Sequence, residues 1–265
     1  MTEKFAEITP GAGLLADFHP VWKVLLELGH LPCYLAVLAA GILLHRRERY
    51  LNAVLILTAI MIWNALLKSW FKVPLFPHLG DGYAFPSGHM HTAAIFYGYV
   101  LLTVRKPWTC LLYILICVGE GAALVACRYH DWLDVCGALG FTIAELWIIF
   151  KIEKNKSFHN ILFAFITACL GLWYVTMQQA VPLWLLGTFL IFCGTFFGIK
   201  ISNLPYLRRL AIFVIGALLY KASSAFGDLV LSLILKQALF GFALACLPTL
   251  PLFKHSKNVD TRNSK

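Results

Sequence analysis

Long apolar runs separated by short polar segments dominate the chain. Each run is long enough to cross a bilayer and shows little alternation of apolar and polar positions, which predicts membrane-spanning helices. The predicted spans are 23–44, 50–68, 90–104, 107–127, 134–151, 158–178, 181–199, 207–221 and 228–253. Lys221, Asp228 and Lys236 interrupt the last two, so eight or ten helices are alternatives to nine. We expect an all-α, polytopic membrane bundle.

The composition agrees with this pattern. Of the 265 residues, 60% are hydrophobic and 13% are charged, and the mean hydropathy is +0.76, which is far more apolar than an ordinary soluble domain. The formal charge is +9, but the basic residues form short clusters at the ends of apolar runs rather than one soluble face. This distribution favours membrane orientation over nucleic-acid binding. The eight cysteines stand singly, with no Cys/His cluster of zinc spacing, so they predict no zinc site. No cofactor is expected.

Basic clusters follow every second span. They are Arg46, Arg47 and Arg49, then Arg105 and Lys106, then Lys151, Lys154 and Lys156, then Lys200, Arg208 and Arg209, and finally Lys254 and Lys257. Short loops rich in lysine and arginine stay in the cytoplasm. The C-terminus is therefore expected in the cytoplasm, with the N-terminus and loops 69–89, 128–133 and 179–181 on the periplasmic or lumenal side.

The loop before the third span carries an anion-binding pattern. Pro86, Ser87, Gly88 and His89 lead directly into an apolar run, which predicts a helix N-terminus. The free backbone amides of Ser87, Gly88 and His89 and the positive end of the helix dipole suit a phosphate. His89 is placed to bind a phosphate oxygen or to act as a general acid.

A second polar segment precedes the fifth span and is expected on the same face of the membrane. His130 and Asp134 are four residues apart, a spacing that brings the two side chains together on a helix. Asp134 can then hold one ring nitrogen while the other attacks phosphorus. Asp131 is the alternative partner if this segment is a loop.

These two segments resemble the second and third motifs of the phosphatidic acid phosphatase type 2 superfamily, which includes lipid phosphate phosphatases and glucose-6-phosphatase. The likeness covers about residues 64–150. It implies a core of five or six helices and a phosphohistidine formed on His130. It also implies that His89 assists the leaving group, that Asp134 supports His130, and that no metal is required.

The chain departs from the superfamily pattern at two arginines. The first motif keeps a lysine at Lys68, but Leu75 stands where the family arginine is expected, and Lys72 is a substitute if the helix continues. In the third motif, Leu124 occupies the arginine position. Arg128 lies one helical turn later and can substitute for it if that helix is continuous. The predicted phosphate-binding residues are Lys68, Lys72, Arg128, Ser87 and Gly88.

Two acidic residues lie inside predicted spans. Glu120 shares a helical face with Leu124 and Arg128, so a Glu120–Arg128 pair and a part in catalysis are both open. Glu145 is expected to stabilise helix packing.

The expected protein is an integral membrane phosphatase that hydrolyses a lipid phosphate or diphosphate through a phosphohistidine. A soluble sugar phosphate is a minor alternative as substrate. Phospho-headgroup transfer of the sphingomyelin-synthase-like type and a catalytically silent binding or transport protein are the other readings. The expected division is a catalytic core over 1–152, additional helices over 153–253 and a cytoplasmic polar tail over 254–265.

Overall fold

The fold is a helical bundle, seen in a computed structural model that describes residues 19–44, 47–155, 157–177 and 182–201. The α-helices in these ranges are α1 (His19–Glu27), α2 (Leu31–Leu44), α3 (Arg47–Phe71), α4 (Gly88–Leu102), α5 (Pro107–Ala126), α6 (Trp132–Ile152), α7 (Phe158–Met177) and α8 (Leu183–Ile201). A short 3-10 helix, Pro77–Leu79, lies in the connection between α3 and α4. The predicted all-α class is confirmed for the described residues.

Helices α3 and α4 form the centre of the bundle. Helix α3 packs against α2, α4, α7 and α8, while α4 packs against α3, α5 and α6. Apolar side chains occur on every face of both helices, which suits a helix enclosed by others. Leu55, Ile56, Phe96 and Tyr99 are almost completely buried there.

Helices α5 and α6 expose large apolar side chains on their outer surface. These are Leu111, Leu112, Ile114, Leu115, Val118, Ile143, Trp147 and Ile148. Among the described helices, α3, α5 and α6 are each long and apolar enough to cross a membrane, and α1 and α2 qualify together as one bent span. An exposed apolar belt on helices of this length is expected where lipid is the solvent.

The first predicted span is not one helix, and the prediction of a continuous helix over 23–44 is wrong. Helices α1 and α2 meet at a break and are bent by 49°. Pro32 has no backbone N–H for the carbonyl of Leu28. The Tyr97 hydroxyl donates to that carbonyl instead, at 2.8 Å, so a side chain from α4 stabilises the break.

The other predicted spans up to residue 199 coincide with helices α3 to α8 to within a few residues. The predicted spans 207–221 and 228–253, and the tail 254–265, lie outside the described residues.

The topology gathers four helix ends at one side of the bundle. The C-terminal ends of α3 and α5 and the N-terminal ends of α4 and α6 meet there, and the two connections between them carry the predicted site. At the opposite end, Arg49 near the start of α3 donates to the carbonyl of Thr103 after α4, at 3.5 Å. Of the predicted basic clusters, Arg47 and Arg49, Arg105 and Lys106, and Lys151 and Lys154 belong to that opposite end.

Candidate active site

The segment 86–89 forms the predicted helix N-terminus. Ser87 caps α4, and its hydroxyl oxygen accepts a hydrogen bond from the amide of Met90 at 3.4 Å. The first backbone bond of the helix runs from the His91 amide to the Ser87 carbonyl, at 3.0 Å. The amides of Gly88 and His89 therefore precede the internal hydrogen bonds of α4 and are available to an anion.

His130 and Asp134 form the predicted hydrogen-bonded pair. The distance from His130 Nδ1 to Asp134 Oδ2 is 2.9 Å, and both side chains are buried. Asp131 is not the partner of His130 in this structure. It caps α6 instead, because its Oδ1 accepts from the amide of Asp134 at 2.8 Å. This cap starts α6 at Trp132 and holds Asp134 in the first turn beside His130.

The protonation of His130 suits a nucleophile. Burial lowers the pKa of the His130 imidazole below its ordinary value, and the hydrogen bond that His130 donates to Asp134 acts against this shift without reversing it. The neutral ring is thus favoured at neutral pH. Since Nδ1 faces Asp134, the lone pair of the neutral ring is on Nε2.

The two polar segments touch each other directly. The amide of Ser87 donates to the backbone carbonyl of Asp134 at 3.1 Å. Phe85 packs on α6 at Gly137, where an added Cβ would lie only 2.2 Å from the Phe85 ring. Glycine at this position lets the loop approach α6 closely. His130 is also among the charged groups that act on His89, so both predicted catalytic histidines belong to one site.

Lys68 projects into the same site from the last turn of α3. Its ammonium group donates to the carbonyl of Tyr83 at 2.7 Å, and it lies about one van der Waals contact, 3.9 Å, from the position of a Cβ added to Gly88. Its charge acts on the three predicted catalytic side chains. Lys68 is therefore placed beside the helix N-terminus, where a phosphate would bind.

Lys72 does not share a helical face with Lys68, so the reasoning that extended α3 to it is wrong. Helix α3 ends at Phe71, and Lys72 has a left-handed backbone with a φ of 52°. Its amide closes the helix by donating to the carbonyl of Lys68 at 3.0 Å. The Lys72 side chain is exposed.

The continuous-helix argument for Arg128 is also wrong. Helix α5 ends at Ala126, and Arg128 is left-handed with a φ of 56°. The amide of Arg128 donates to the carbonyl of Val125 at 3.0 Å, and that of Tyr129 to the carbonyl of Leu124 at 2.9 Å. These bonds form a Schellman motif. Arg128 is exposed, and it is not among the groups that shift the titration of His130.

The alternative pair between Glu120 and Arg128 does not form. The Glu120 carboxylate is completely buried, and neither of its oxygens has a hydrogen-bond partner among the described residues. The carboxylate lies against Gly29, whose amide donates to the carbonyl of Leu26 at 3.0 Å.

Three histidine-centred features beside the site have no counterpart in the sequence prediction. His30, at the break between α1 and α2, places its ring centroid 5.9 Å from that of His89 and pairs with Glu27 at 3.2 Å. His91 lies beneath the 86–89 loop and bonds to two other helices. His78 bonds to the carbonyl of Arg128 at 3.1 Å. A histidine within an apolar run was the available signal for His30 and His91.

A small cleft opens beside Asp134. Its empty volume is about 210 Å³, and its lining residues are Val73, Pro74, Phe76, Ala84, Asp131 and Asp134. The cleft combines an apolar wall with the end of the His130–Asp134 pair.

No family model, curated protein or solved structure matches this chain. The interpretation of the site therefore depends on its own chemistry. It combines a neutral histidine held by a carboxylate, a second histidine at a helix N-terminus, and a lysine. Such a set can attack, bind and protonate a phosphoester.

Proposed function

We propose that this chain is an integral membrane phosphatase of the phosphatidic acid phosphatase type 2 kind, which hydrolyses a lipid phosphate or diphosphate through a phosphohistidine. The contact between the two motif segments carries the proposal. Ser87 bonds to the backbone of Asp134 at 3.1 Å, and Asp134 bonds to His130 at 2.9 Å. A nucleophile, its orienting carboxylate and an anion-binding helix N-terminus are thereby joined through direct hydrogen bonds.

In the first step, the Nε2 lone pair of His130 attacks phosphorus in line with the bond to the leaving oxygen. Burial lowers the pKa of His89 to about 4, so its acid form depends on the negative charge of the bound phosphate, which raises that pKa. The new N–P bond forms as the P–O bond breaks, and the protonated His89 gives its proton to the departing alkoxide. Asp134 accepts from Nδ1–H throughout and stabilises the positive charge that develops on the ring. Lys68 and the amides of Gly88 and His89 hold the phosphoryl oxygens.

In the second step, water attacks the phosphohistidine. His89, now neutral, removes a proton from the water, and the N–P bond breaks to release inorganic phosphate. His130 returns to its neutral form and His89 to its protonated form, so the two steps leave the enzyme unchanged. The same residue acts as acid and then as base, as microscopic reversibility requires.

An amphiphilic substrate is favoured by the surroundings of the site. Exposed apolar side chains flank it at the end of α3 and the start of α6, with Trp70 and Leu133 both 69% exposed and Trp132 59% exposed. Tryptophan at this position is typical of the membrane interface. A lipid tail can remain in the bilayer while its phosphate reaches His130, whereas a sugar phosphate gains nothing from this rim.

The basic clusters support a site on the non-cytoplasmic face. Those at the start of α3, between α4 and α5 and after α6 belong to the end of the bundle opposite the site, and lysine and arginine mark the cytoplasmic side. We therefore propose that the site faces the periplasm or an organelle lumen and that the C-terminus is cytoplasmic.

The direct test is phosphate release by purified protein in lipid-containing detergent. The substrates are phosphatidic acid, phosphatidylglycerophosphate, an isoprenyl diphosphate, a sphingoid phosphate and glucose 6-phosphate, with His130→Ala as the control. Release that is lost in the variant supports the proposal and identifies the substrate class. Absence of release, with product formed only when a lipid acceptor is added, indicates headgroup transfer. Absence of both supports a silent binding or transport protein.

A further inference from the structure

A buried chain of hydrogen bonds crosses three helices directly beneath the anion-binding loop. Asn64 of α3 and His91 of α4 are joined by 2.9 Å between Nδ2 and Nδ1. His91 Nε2 lies 2.7 Å from Glu145 Oε2 of α6. His91 is completely buried, and the side chain of Glu145 is 13% exposed. Buried polar groups are costly unless they are hydrogen-bonded. Oε1 of Glu145 has no hydrogen-bond partner among the described residues, so the bond of Oε2 to His91 is the one that holds this carboxylate in place.

The hydrogen bonds have one consistent direction. Glu145 can only accept when ionised, so His91 donates from Nε2–H and its Nδ1 is the acceptor. Asn64 therefore directs its amide nitrogen at His91, and the same nitrogen lies 3.5 Å from the carbonyl of Pro86. The amide oxygen of Asn64 then faces Gly88, 3.3 Å from the position of an added Cβ.

Two contacts connect the hydrogen-bonded residues to the anion-binding loop and fix its position. Asn64 bonds to the loop at the carbonyl of Pro86, and its amide oxygen lies beside Gly88. The backbone amide of His91 donates to the carbonyl of Ser87 at 3.0 Å. The three residues Pro86 to Gly88 are thus held from below by a side chain whose rotation is fixed by His91. Asn64, His91 and Glu145 can fix the position of the loop without touching a substrate.

We propose that His91 is a positioning residue, which acts through Asn64 and Glu145 to set the anion-binding loop in register with His130. This inference depends on the proposed function, because it assigns the loop the task of holding phosphoryl oxygens. A misplacement of about 1 Å can cost about 100-fold in rate. Breaking the hydrogen bonds among Asn64, His91 and Glu145 should therefore reduce kcat far more than it changes KM.

The test compares His91→Leu and Asn64→Leu, singly and together, with a matched pair elsewhere. His159 and Asn52 form a histidine–asparagine bond of the same length, 2.9 Å, between α7 and α3. Asn52 lies near the start of α3, far from its site end, so His159→Leu removes comparable chemistry without touching the loop. His91→Gln retains an acceptor and a donor and serves as the conservative variant.

We expect His91→Leu and Asn64→Leu each to lower kcat by about 10- to 100-fold, with KM changed by less than about threefold. The kcat of the double variant should lie within about twofold of that of the less active single variant, because the two substitutions interrupt the same series of hydrogen bonds. His91→Gln should recover most of the activity. His159→Leu should reduce thermal stability similarly and keep kcat within about twofold of the native value.

Binding of inorganic phosphate provides a second readout that needs no turnover. Free phosphate has no lipid tail to hold it, so its dissociation constant should rise at least about tenfold in His91→Leu and stay unchanged in His159→Leu. The KM of a lipid substrate changes less because the tail contributes most of its binding. If His91→Leu does not fold, three other variants replace it: Asn64→Ala, Glu145→Gln and Glu145→Leu. Of these, only Glu145→Gln should keep its activity.

Two results would overturn the inference. One is unchanged kcat and phosphate affinity in the variants of His91 and Asn64, while His130→Ala remains inactive. The other is an equal loss of kcat in His159→Leu, which would mean that only general stability matters. If the native protein neither releases nor binds phosphate, the proposed function fails and the inference fails with it.

Discussion

Replacing Asp134 by asparagine removes one charge from the centre of the site and leaves its shape almost unchanged. The bond from His130 Nδ1 to Asp134 Oδ2 is 2.9 Å long and buried. A hydrogen bond to a charged group contributes about 1.5–3 kcal/mol. At about 1.4 kcal/mol for each factor of ten, kcat for phosphate release should fall about 10- to 150-fold. An amide nitrogen turned toward Nδ1 would select the wrong tautomer and increase the loss.

The pH profile should move in a defined direction. His130 attacks only when neutral, so activity is lost as the pH falls through its pKa in the folded protein. Burial lowers that pKa, and Asp134 raises it. The acidic limb of kcat/KM should therefore lie below about pH 6.5, the ordinary histidine value. In Asp134→Asn the carboxylate that raises the pKa of His130 is removed, so the acidic limb of kcat/KM should move to still lower pH.

Asp131→Asn is the matched control. Asp131 accepts from the Asp134 amide at 2.8 Å as the cap of α6, and asparagine caps a helix about as well as aspartate. It should keep kcat within about threefold of the native value. Thermal stability should fall modestly in Asp134→Asn, because the buried bond to His130 is weakened while the bond from the Ser87 amide to the backbone carbonyl of Asp134 is kept.

The assay is phosphate release from phosphatidic acid in mixed micelles, measured from pH 4 to 9 for the native protein and both variants. The reasoning is refuted if Asp134→Asn keeps native kcat, or if its acidic limb moves to higher pH. A larger loss in Asp131→Asn than in Asp134→Asn would show that the wrong carboxylate has been assigned to His130.

Three further substitutions test the surrounding residues by the same assay. Lys68→Met should lower kcat/KM by about 100-fold, because a charged donor to the phosphoryl group is removed; a loss below fivefold would contradict its placement. Arg128→Gly should keep kcat/KM within about threefold and leave the unfolding temperature equal or higher, since glycine suits the left-handed backbone; a loss above tenfold would restore Arg128 to the phosphate site. His30→Ala should lower kcat/KM by up to about tenfold, because its ring packs 5.9 Å from that of His89 and such ring contacts contribute about 0.5–1.5 kcal/mol; an unchanged value would separate His30 from the reaction.

The described helices could be predicted from the sequence because the signals are local. Apolar runs long enough for a bilayer gave α3 to α8 to within a few residues. The cap at Ser87 and the contact between His130 and Asp134 also depend on neighbours within four residues along the chain. Such features depend on the local backbone, although His130 lies in the turn before α6 and not on a helix, as the spacing argument had assumed.

The helix ends were harder to predict because the usual residue signals are missing. The left-handed positions that close α3 and α5 hold Lys72 and Arg128 rather than glycine. Neither residue marks the end of a helix. The predicted helices therefore continued too far, and Lys72 and Arg128 were assigned to helix faces although both residues follow the helix ends. The break between α1 and α2 had a signal in Pro32, but the donor that stabilises it, Tyr97, comes from another helix.

By itself, the sequence determined that the chain forms apolar helices and that two polar segments carry the elements of a phosphate site. Only the tertiary structure decided that Ser87 bonds to Asp134, that Lys68 joins them, and that Asn64, His91 and Glu145 form one chain. The physical reason is that helices α3 and α4 are apolar all round. Such helices have no amphipathic face to fix their rotation, so packing against neighbouring helices decides which polar side chains meet.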